Sequence, residues 1–135
     1  MKIILNNHDL SKTLGPFHDI GFVPTMGGIH EGHISLIKRS IKSNKKTIVS
    51  IFVNPKQFNN VKDFNSYPAN IKKDLTILKK IRKLDFVYIP AFKHVYENKK
   101  KSEIKIEKKY KVLCAKFRKG HFEGVLDVMN RLTKL

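Results

Sequence analysis

The feature that most constrains the fold of this chain is the stretch GFVPTMGGIHEGHISL, which runs from Gly21 to Leu36. An apolar segment typical of a short buried strand leads directly into three closely spaced glycines, and then into the apolar spacing of a helix. In that helix Ile34, Ile37 and Ile41 share one face. A strand that turns at once into an amphipathic helix is half of a βαβ unit, so the stretch indicates an α/β fold.

The next two strand patterns repeat this alternation. The segment TIVSIFV, residues 47–53, is rich in β-branched residues and apolar on both faces, which is typical of a central parallel strand. A helix with Ile71, Leu75 and Leu78 on one stripe follows, and LDFVYIP then predicts a third buried strand that ends at Pro90. This order of strands and helices predicts a doubly wound parallel sheet with right-handed crossovers.

The remaining segments are less regular. The polar loop NPKQFNNVKDFNSYP has aromatic anchors at Phe58, Phe64 and Tyr67, which predict an ordered loop without regular structure of its own. SEIKIEKKYKVL alternates apolar and charged residues, which predicts an edge strand or a hairpin. We expect one domain over residues 1–135, truncated at its carboxyl end, because no glycine cap or closing segment follows the last helix pattern. That pattern begins at His121, and its predicted apolar face consists of Phe122, Val125, Leu126, Met129 and Leu132.

Composition bounds the function only broadly. The formal net charge of +17 would attract any polyanion, but the lysines are spread over every segment, which indicates solvated faces rather than a specific nucleic-acid site. Cys114 is the single cysteine, so no intrachain disulfide forms, and a reducing compartment is expected. Because no apolar run is long enough to span a membrane and the amino terminus has no signal-peptide pattern, we expect a cytoplasmic protein.

The glycine–histidine stretch predicts a nucleotide site. Ligands of open parallel sheets bind at the carboxyl ends of the strands, and a helix that starts near His30 offers backbone N–H groups and a positive dipole to phosphate. His33 projects from the same face of that turn, and Gly32 leaves room for a flat base, so the spacing suits ATP. Two alternatives stay open: a metal site, for which no further ligand is visible nearby, and a plain tight turn with surface histidines.

These residues also carry a resemblance to a known family. The stretches GFVPTMGGIHEGHISLIKRS, IVSIFVNPKQFNNVKDFNSYP, DLTILKK, DFVYIP and FRKGHFEGVLDVMNRL resemble, in consecutive order, the first half of the pantothenate synthetase (pantoate–β-alanine ligase) family. The His-x-Gly-His motif of that family relates it to the nucleotidyltransferase superfamily, including class I aminoacyl-tRNA synthetases. The resemblance implies a Rossmann-like domain of nucleotidyltransferase type, here without the family's carboxyl-terminal domain.

The resemblance also implies a reaction and its residues. Members of this family join pantoate to β-alanine through a pantoyl adenylate, use ATP with Mg²⁺, and are typically homodimers. His33 holds the position assigned as catalytic, and by similarity Gln57 binds pantoate and lies near β-alanine, with Asn54 supporting it. No residue is expected to hold a metal. The stretch implied to bind ATP comprises Pro24, Thr25, Met26, Gly27, Gly28, Ile29, His30, Glu31, Gly32 and His33.

The chain departs from the family pattern at the rim of this implied site. Ala69 stands where the family usually has Arg, Lys62 where it has Glu, and Lys119 where it has Pro, while His121 and Phe122 are interpreted as fold elements. The family's later segment, with a Lys-Asp pair and a second glutamine, is absent, so we expect a nucleotide-binding half that is weakly binding or inactive alone. Two other functions remain possible: an adenylyl-transferring enzyme with another acceptor, and a non-catalytic basic module that binds nucleotides or nucleic acid.

Overall fold

The computed structural model describes residues 1–97 and 120–135. They fall into two compact units, one formed by 1–53 with 68–94 and the other by 54–67 with 95–135, and each is described by itself. The single domain expected over residues 1–135 therefore stays a prediction. The segment SEIKIEKKYKVL, Cys114 and Lys119 lie outside the described residues.

Strands and helices alternate through most of the described chain. In chain order the elements are β1 (Lys2–Ile4), α1 (Asn7–Leu14), β2 (Ile20–Thr25), α2 (Glu31–Ser43), β3 (Lys46–Ile51), a 3₁₀ helix (Pro55–Gln57), α3 (Val61–Ser66), α4 (Ile71–Lys79), β4 (Phe86–Tyr88), α5 (Phe92–Val95) and α6 (His121–Leu132). Within the described residues, no helix is long and apolar enough to cross a membrane.

The first unit is built on a four-stranded sheet in which every neighbouring pair is parallel, in the order β1-β4-β3-β2. Strands β2 and β3 pair along their full length, from Ile20 opposite Lys46 to Thr25 opposite Ile51. The predicted parallel α/β sheet is confirmed. Strand β1 was not predicted, because three apolar residues at the amino terminus are too few to define a periodicity.

The core of the first unit lies between the sheet and the helices α2 and α4. Ile37 of α2 and Leu78 of α4 are fully buried beside Val49 and Val87 of the central strands. Ile34 and Ile41 pack against this cluster, as their spacing predicts. The stripe predicted for α4 is wrong at its first position, because Ile71 is 45% exposed and Asp74 is buried instead.

The segment after β3 differs from the expected irregular loop. Strand β3 ends at Ile51, two residues before the predicted end, and the 3₁₀ helix and α3 follow. Asn54 and Asn60 start these two helices, since each side-chain oxygen accepts a hydrogen bond from a backbone N–H of the next turn. The three aromatic anchors pack together as expected of an ordered segment. The rings of Phe64 and Tyr67 meet the ring of Phe58 edge-on at centroid distances of 5.5 and 5.6 Å.

Helix α6 of the second unit is buried along a line that the sequence pattern did not predict. Gly124 and Val128 are its buried residues, whereas the predicted apolar face is only half-buried. A Cβ atom on Gly124 would lie 2.5 Å from the carbonyl oxygen of Lys56, far inside contact distance. The glycine therefore lets the helix backbone approach the 3₁₀ helix directly.

Candidate functional site

The first candidate site is the turn between β2 and α2, which we call the histidine turn and define as residues 24–33. It includes Thr25, the last residue of β2, whose buried hydroxyl donates to the carbonyl of Ser50 at 2.8 Å and accepts the N–H of Gly27 at 3.2 Å. The first bond attaches the start of the turn to the neighbouring strand β3, and the second lies within the turn. The histidine turn therefore lies at the carboxyl end of a parallel strand, as predicted.

Two consecutive glycines give the turn its shape. Gly27 has a φ of 83° and Gly28 a φ of 64°, a region of backbone conformation that residues with a Cβ atom rarely adopt. Asp74 of α4 lies against them, and its two carboxylate oxygens accept the N–H groups of Gly28 at 3.0 Å and Ile29 at 2.9 Å. The carboxylate thus holds the turn from a position 45 and 46 residues further along the chain.

The two histidines form the start of helix α2. His30 is the residue that caps the helix, and its Nδ1 accepts the N–H of Gly32 at 3.1 Å. The Nδ1 of His33 accepts the N–H of His30 at 3.4 Å, so each imidazole closes one bond of a reciprocal cap. The ring centroids lie 4.0 Å apart. Because Nδ1 accepts in both rings, a neutral imidazole carries its proton on Nε2 and offers a donor there.

The protonation of His33 follows from its surroundings. Partial burial lowers the pKa of His33 below its ordinary value of 6.5, and the neighbouring His30 lowers it further. The Asp74 carboxylate acts in the opposite direction and raises the same pKa, with a smaller effect than burial. At neutral pH His33 is therefore a neutral hydrogen-bond donor, which is the form that the cap requires.

The histidine turn divides into an exposed edge and a buried base. The exposed edge could meet a ligand, and Met26 and His33 are half-buried beside it. Ile29 belongs to the hydrophobic core, and Thr25 and Gly27 are buried as well, so these three residues support the turn from beneath. The residues of the exposed edge are Pro24, Gly28, His30, Glu31 and Gly32.

The second candidate site lies in the other unit, and we call it the amide turn, residues 54–57. Asn54 is 1% exposed and Gln57 is 7% exposed, so the structure buries the two amides that the family resemblance selected. The Nδ2 of Asn54 donates to the Oε1 of Gln57 at 3.2 Å and to the carbonyl of Gly124 at 3.2 Å. The structure brings this predicted pair together within one turn.

Tyr96 adds a hydrogen bond to the amide turn. Its hydroxyl donates to the Oδ1 of Asn54 at 2.9 Å, which fixes the orientation of that amide. Burial raises the pKa of Tyr96 to about 12, and the carboxylate of Asp127 raises it too, against the opposing effects of Arg131 and the bond to Asn54. The cationic groups of Lys56 and Arg131 lie 3.9 and 4.6 Å from the centre of the Tyr96 ring.

His121 belongs to the fold of this turn. One ring nitrogen, Nδ1, forms a hydrogen bond of 2.7 Å with the backbone carbonyl of Gln57. The ring thereby connects the first residue of α6 to the end of the 3₁₀ helix. Lys62 and Ala69, two of the positions where the resemblance implies other residues, are both exposed.

Sequence reasoning missed Asp74 and Tyr96. The signal for Asp74 was available, because it lies three residues after Ile71 and four before Leu78, on the stripe predicted to be apolar. No comparable signal marked Tyr96, whose contact with Asn54 spans 42 residues. Across residues 1–97 and 120–135, no three His, Cys, Asp or Glu side chains are grouped so that they could hold a metal ion.

Comparison with known proteins places the whole chain in one family. The family model described as pantoate-beta-alanine ligase matches residues 2–135. Pantothenate synthetase from Pseudothermotoga lettingae is 49% identical over 113 residues, which are 84% of this chain and 40% of that protein. The pantothenate synthetase of Bacillus pumilus is 38% identical over 139 residues, which cover 100% of this chain and 48% of that protein.

Solved structures agree with the sequence relatives. The pantoate-beta-alanine ligase from Francisella tularensis, complexed with beta-gamma ATP and beta-alanine, superposes with a TM-score of 0.91 at 38% identity over 99% of this chain. The pantothenate synthetase from Thermus thermophilus gives a TM-score of 0.90 at 32% identity. The matches cover 52% and 48% of those two chains, so this chain spans about half the length of its relatives.

Proposed function

Because the chain belongs to the pantoate–β-alanine ligase family, we propose that it forms the ATP- and pantoate-binding part of an enzyme that joins pantoate to β-alanine. A carboxylate oxygen of pantoate attacks the α-phosphorus of ATP, the bond to the β-phosphate breaks, and pyrophosphate leaves. The amine of β-alanine then attacks the acyl carbon of the adenylate, loses a proton and releases AMP. The product is pantothenate.

The observation that carries this proposal is the reciprocal cap of His30 and His33. Both Nδ1 atoms accept backbone N–H groups, so two Nε2–H donors remain at the start of α2. Donors that are already oriented lower the cost of stabilising charge on phosphate oxygens as the α-phosphorus becomes five-coordinate. We assign the catalytic role to His33 and ATP binding to the stretch Pro24–His33, since neutral donors and the amino end of α2 both favour an anion.

We assign pantoate binding to the amide turn. A primary amide both donates and accepts hydrogen bonds, which suits a substrate that carries hydroxyl groups and a carboxylate. The Oε1 of Gln57 already accepts a bond from Asn54, and this contact orients the Gln57 amide before substrate binds. Asn54 therefore supports Gln57 and does not need to touch the substrate itself.

Magnesium enters the proposal with the nucleotide. Among residues 1–97 and 120–135, no three His, Cys, Asp or Glu side chains are grouped so that they could hold a metal ion. Mg²⁺ commonly stays bound to waters and to the phosphates of its nucleotide. We therefore expect Mg²⁺ as the counter-ion of ATP and assign no protein ligand to it.

Location and assembly form a separate part of the proposal. We propose a cytosolic protein that forms a homodimer, as the family resemblance implies. A formal net charge of +17 opposes self-association at low ionic strength, so the dimer should strengthen as salt screens this charge. Light scattering after size exclusion, at two salt concentrations, measures this directly.

Titration calorimetry with ATP tests the nucleotide assignment. The chain spans about half the length of its relatives, and turnover depends on the whole enzyme. Binding of each substrate is therefore a more direct measurement. We expect His33→Ala to weaken ATP binding by about tenfold, the loss of one strong hydrogen bond to a charged group. His8→Ala is the matched control, because His8 is an exposed histidine of α1. Equal ATP affinity in the His33 variant and the unchanged chain would remove His33 from the site.

Calorimetry with pantoate tests the second assignment. Gln57→Ala should weaken pantoate binding, whereas Asn59→Ala, at an exposed position beside the amide turn, should leave it unchanged. A panel of other hydroxy acids measures selectivity. Binding of all acids with the same affinity as pantoate would contradict the assigned substrate and favour another acceptor.

A further inference from the structure

Asp74 is a buried carboxyl group to which the proposed reaction assigns no role. It is 3% exposed and lies in α4, among the apolar residues that face the sheet. In residues 1–97 and 120–135, no lysine or arginine forms an ion pair with it. Its polar partners are the backbone N–H groups of Gly28 and Ile29, one on each oxygen. A buried acid with backbone partners of this kind is costly to maintain unless it fixes something.

The carboxylate determines the path of the histidine turn. A Cβ atom on Gly27 would lie 2.8 Å from the Oδ2 of Asp74, so the backbone passes as close to this oxygen as a glycine permits. Gly28 and Ile29 directly precede His30, which starts α2. If the carboxylate were removed, two N–H groups would lose their acceptor, and the turn would have to rearrange to satisfy them.

Asp74 also decides which donors a polyphosphate meets. The N–H of Gly27 is bonded to Thr25, and those of Gly28 and Ile29 are bonded to Asp74, so these three groups are not available to a ligand in this conformation. The N–H groups of His30 and Gly32 are used in the reciprocal cap. The imidazole Nε2–H groups of His30 and His33 take no part in these bonds and are side-chain donors at the start of α2.

We propose that Asp74 is a positioning residue of the nucleotide site, which locks residues 27–29 and thereby aims the imidazoles of His30 and His33 at the phosphates of ATP. This rests on the proposed function for its ligand, and on the contacts of Asp74 for its mechanism. The same carboxylate also raises the pKa of His33, so its removal can be followed at the imidazole as well as at the backbone of the turn.

The test compares Asp74→Asn, Asp74→Glu and Asp9→Asn. Asparagine keeps the shape but replaces one acceptor oxygen with a donor, so the N–H of Gly28 or Ile29 loses its partner. Glutamate keeps the charge and both acceptors. Asp9 is an exposed aspartate in the first turn of α1, and its variant controls for the loss of one negative charge. Circular dichroism and amide NMR spectra identify any variant that fails to fold.

Two readouts are measured on each variant. In Asp74→Asn we expect ATP binding to weaken about tenfold, and NMR titration of the histidine Cε1 protons should show the pKa of His33 lowered further, because the carboxylate that raises it is gone. Amide exchange of Gly28 and Ile29 should accelerate. Asp74→Glu should restore part of the ATP affinity and the pKa of His33, and Asp9→Asn should match the unchanged chain.

The outcomes separate this proposal from the proposed function. Unchanged ATP affinity in a folded Asp74→Asn variant, with the unchanged chain binding ATP, would overturn the role of Asp74 and leave the proposed function standing. Absence of ATP binding by the unchanged chain would overturn the proposed function and, with it, the assignment of Asp74 to a nucleotide site. If Asp74→Asn does not fold, Asp74→Glu decides: weakened ATP binding together with faster exchange at Gly28 and Ile29 supports the role. Unchanged ATP affinity despite faster exchange, or changed affinity despite native exchange, overturns it.

Discussion

The histidine turn and the amide turn are both short segments that follow a parallel strand and start a helix, yet they are held by different chemistry. A buried carboxylate from α4 binds the backbone of the first, and its partners are N–H groups. Neutral groups hold the second, where the hydroxyl of Tyr96 and the amides of Asn54 and Gln57 form a chain of hydrogen bonds. A carboxylate can only accept hydrogen bonds, so it binds N–H groups of the histidine turn. Amide groups both donate and accept, so the amide turn has both kinds of group.

This difference matches the ligands that we assign to the two turns. ATP presents phosphate oxygens, which only accept hydrogen bonds, and pantoate presents hydroxyl groups as well as a carboxylate. In the histidine turn the N–H groups of Gly28 and Ile29 are already bonded to the carboxylate, so the imidazoles and the amino end of α2 are what it offers to phosphate. Three substitutions and a change of pH should disturb one turn or the other, with effects that decrease in that order.

Gly124→Ala should have the largest effect, and it acts on the amide turn. Its Cβ would meet backbone atoms at 2.5 and 2.9 Å, and backbone cannot move aside as a flexible side chain does. We expect the free energy of unfolding to fall by about 3 kcal/mol, as for overpacked cores. Denaturant titration followed by tyrosine fluorescence measures it, since the chain has four tyrosines and no tryptophan.

Gly120→Ala is the matched control for this prediction. Gly120 has a φ of 79° and nothing within 4 Å of a Cβ atom, so alanine there meets only the conformational penalty, about 1 kcal/mol. If the two variants lose equal stability, the close approach of α6 to Lys56 is not what limits position 124.

Gly27→Ala should have the next largest effect, and it acts on the histidine turn. Alanine would meet both the positive φ of 83° and the Oδ2 of Asp74 at 2.8 Å, at a cost of about 2 kcal/mol. Gly28→Ala isolates the first contribution, because its φ is 64° but its nearest neighbour is 3.7 Å away. Urea unfolding of both variants measures the difference, and equal losses would contradict the proposed closeness of Asp74.

Tyr96→Phe should have a smaller effect. It removes the hydroxyl that donates to Asn54 and keeps the ring beside Lys56 and Arg131, so the expected loss of stability is about 1 kcal/mol. The pKa of Tyr96 is raised to about 12, so the variant should also lose the contribution near pH 12 in an ultraviolet titration of the tyrosines. Unaltered pantoate affinity would show that the orientation of Asn54 does not matter for the acid.

The pH dependence of stability should show the smallest effect. The pKa of His33 lies below its ordinary value of 6.5, so the unfolded chain takes up a proton first as the pH falls. Stability should therefore decrease as the pH drops below about 6.5 toward the folded-state pKa of His33. In His33→Gln this decrease should be smaller, whereas His8→Gln should retain it. An equal decrease in both variants would attribute it to other groups.

The sequence predicted the helices and strands best where one strong pattern covered a whole element. Ile34, Ile37 and Ile41 predicted the buried face of α2, and the β-branched run predicted β3, because both patterns reflect burial along a continuous segment. The two short helices between β3 and α4 were missed, since Asn54 and Asn60 act through single capping bonds that leave no periodicity. The position of the histidine turn was predicted from the strand before it and the helix after it, but its internal hydrogen bonds were not predicted.

The candidate site was predictable to a similar degree. The position of the histidines followed from the glycines and the strand before them, but the sequence did not reveal that each ring caps the helix, because histidine is not among the usual capping residues. Tyr96 was missed because its contact is polar and long in sequence. Asp74 was missed although it lies on the predicted stripe of α4, because only the apolar residues of that stripe were assigned to the buried face. Residues that support a site are harder to identify from sequence than the residues that would contact its ligand.

The distance in sequence between Asp74 and the turn that it holds also affects the order of folding. A segment of 45 residues must close before the first of these two bonds forms, and that segment includes α2 and β3. Closing so long a loop costs entropy that only the assembled sheet and α4 repay. We therefore expect the histidine turn to be among the last parts of its unit to reach the native state, so that nucleotide binding would report that folding of this unit is complete.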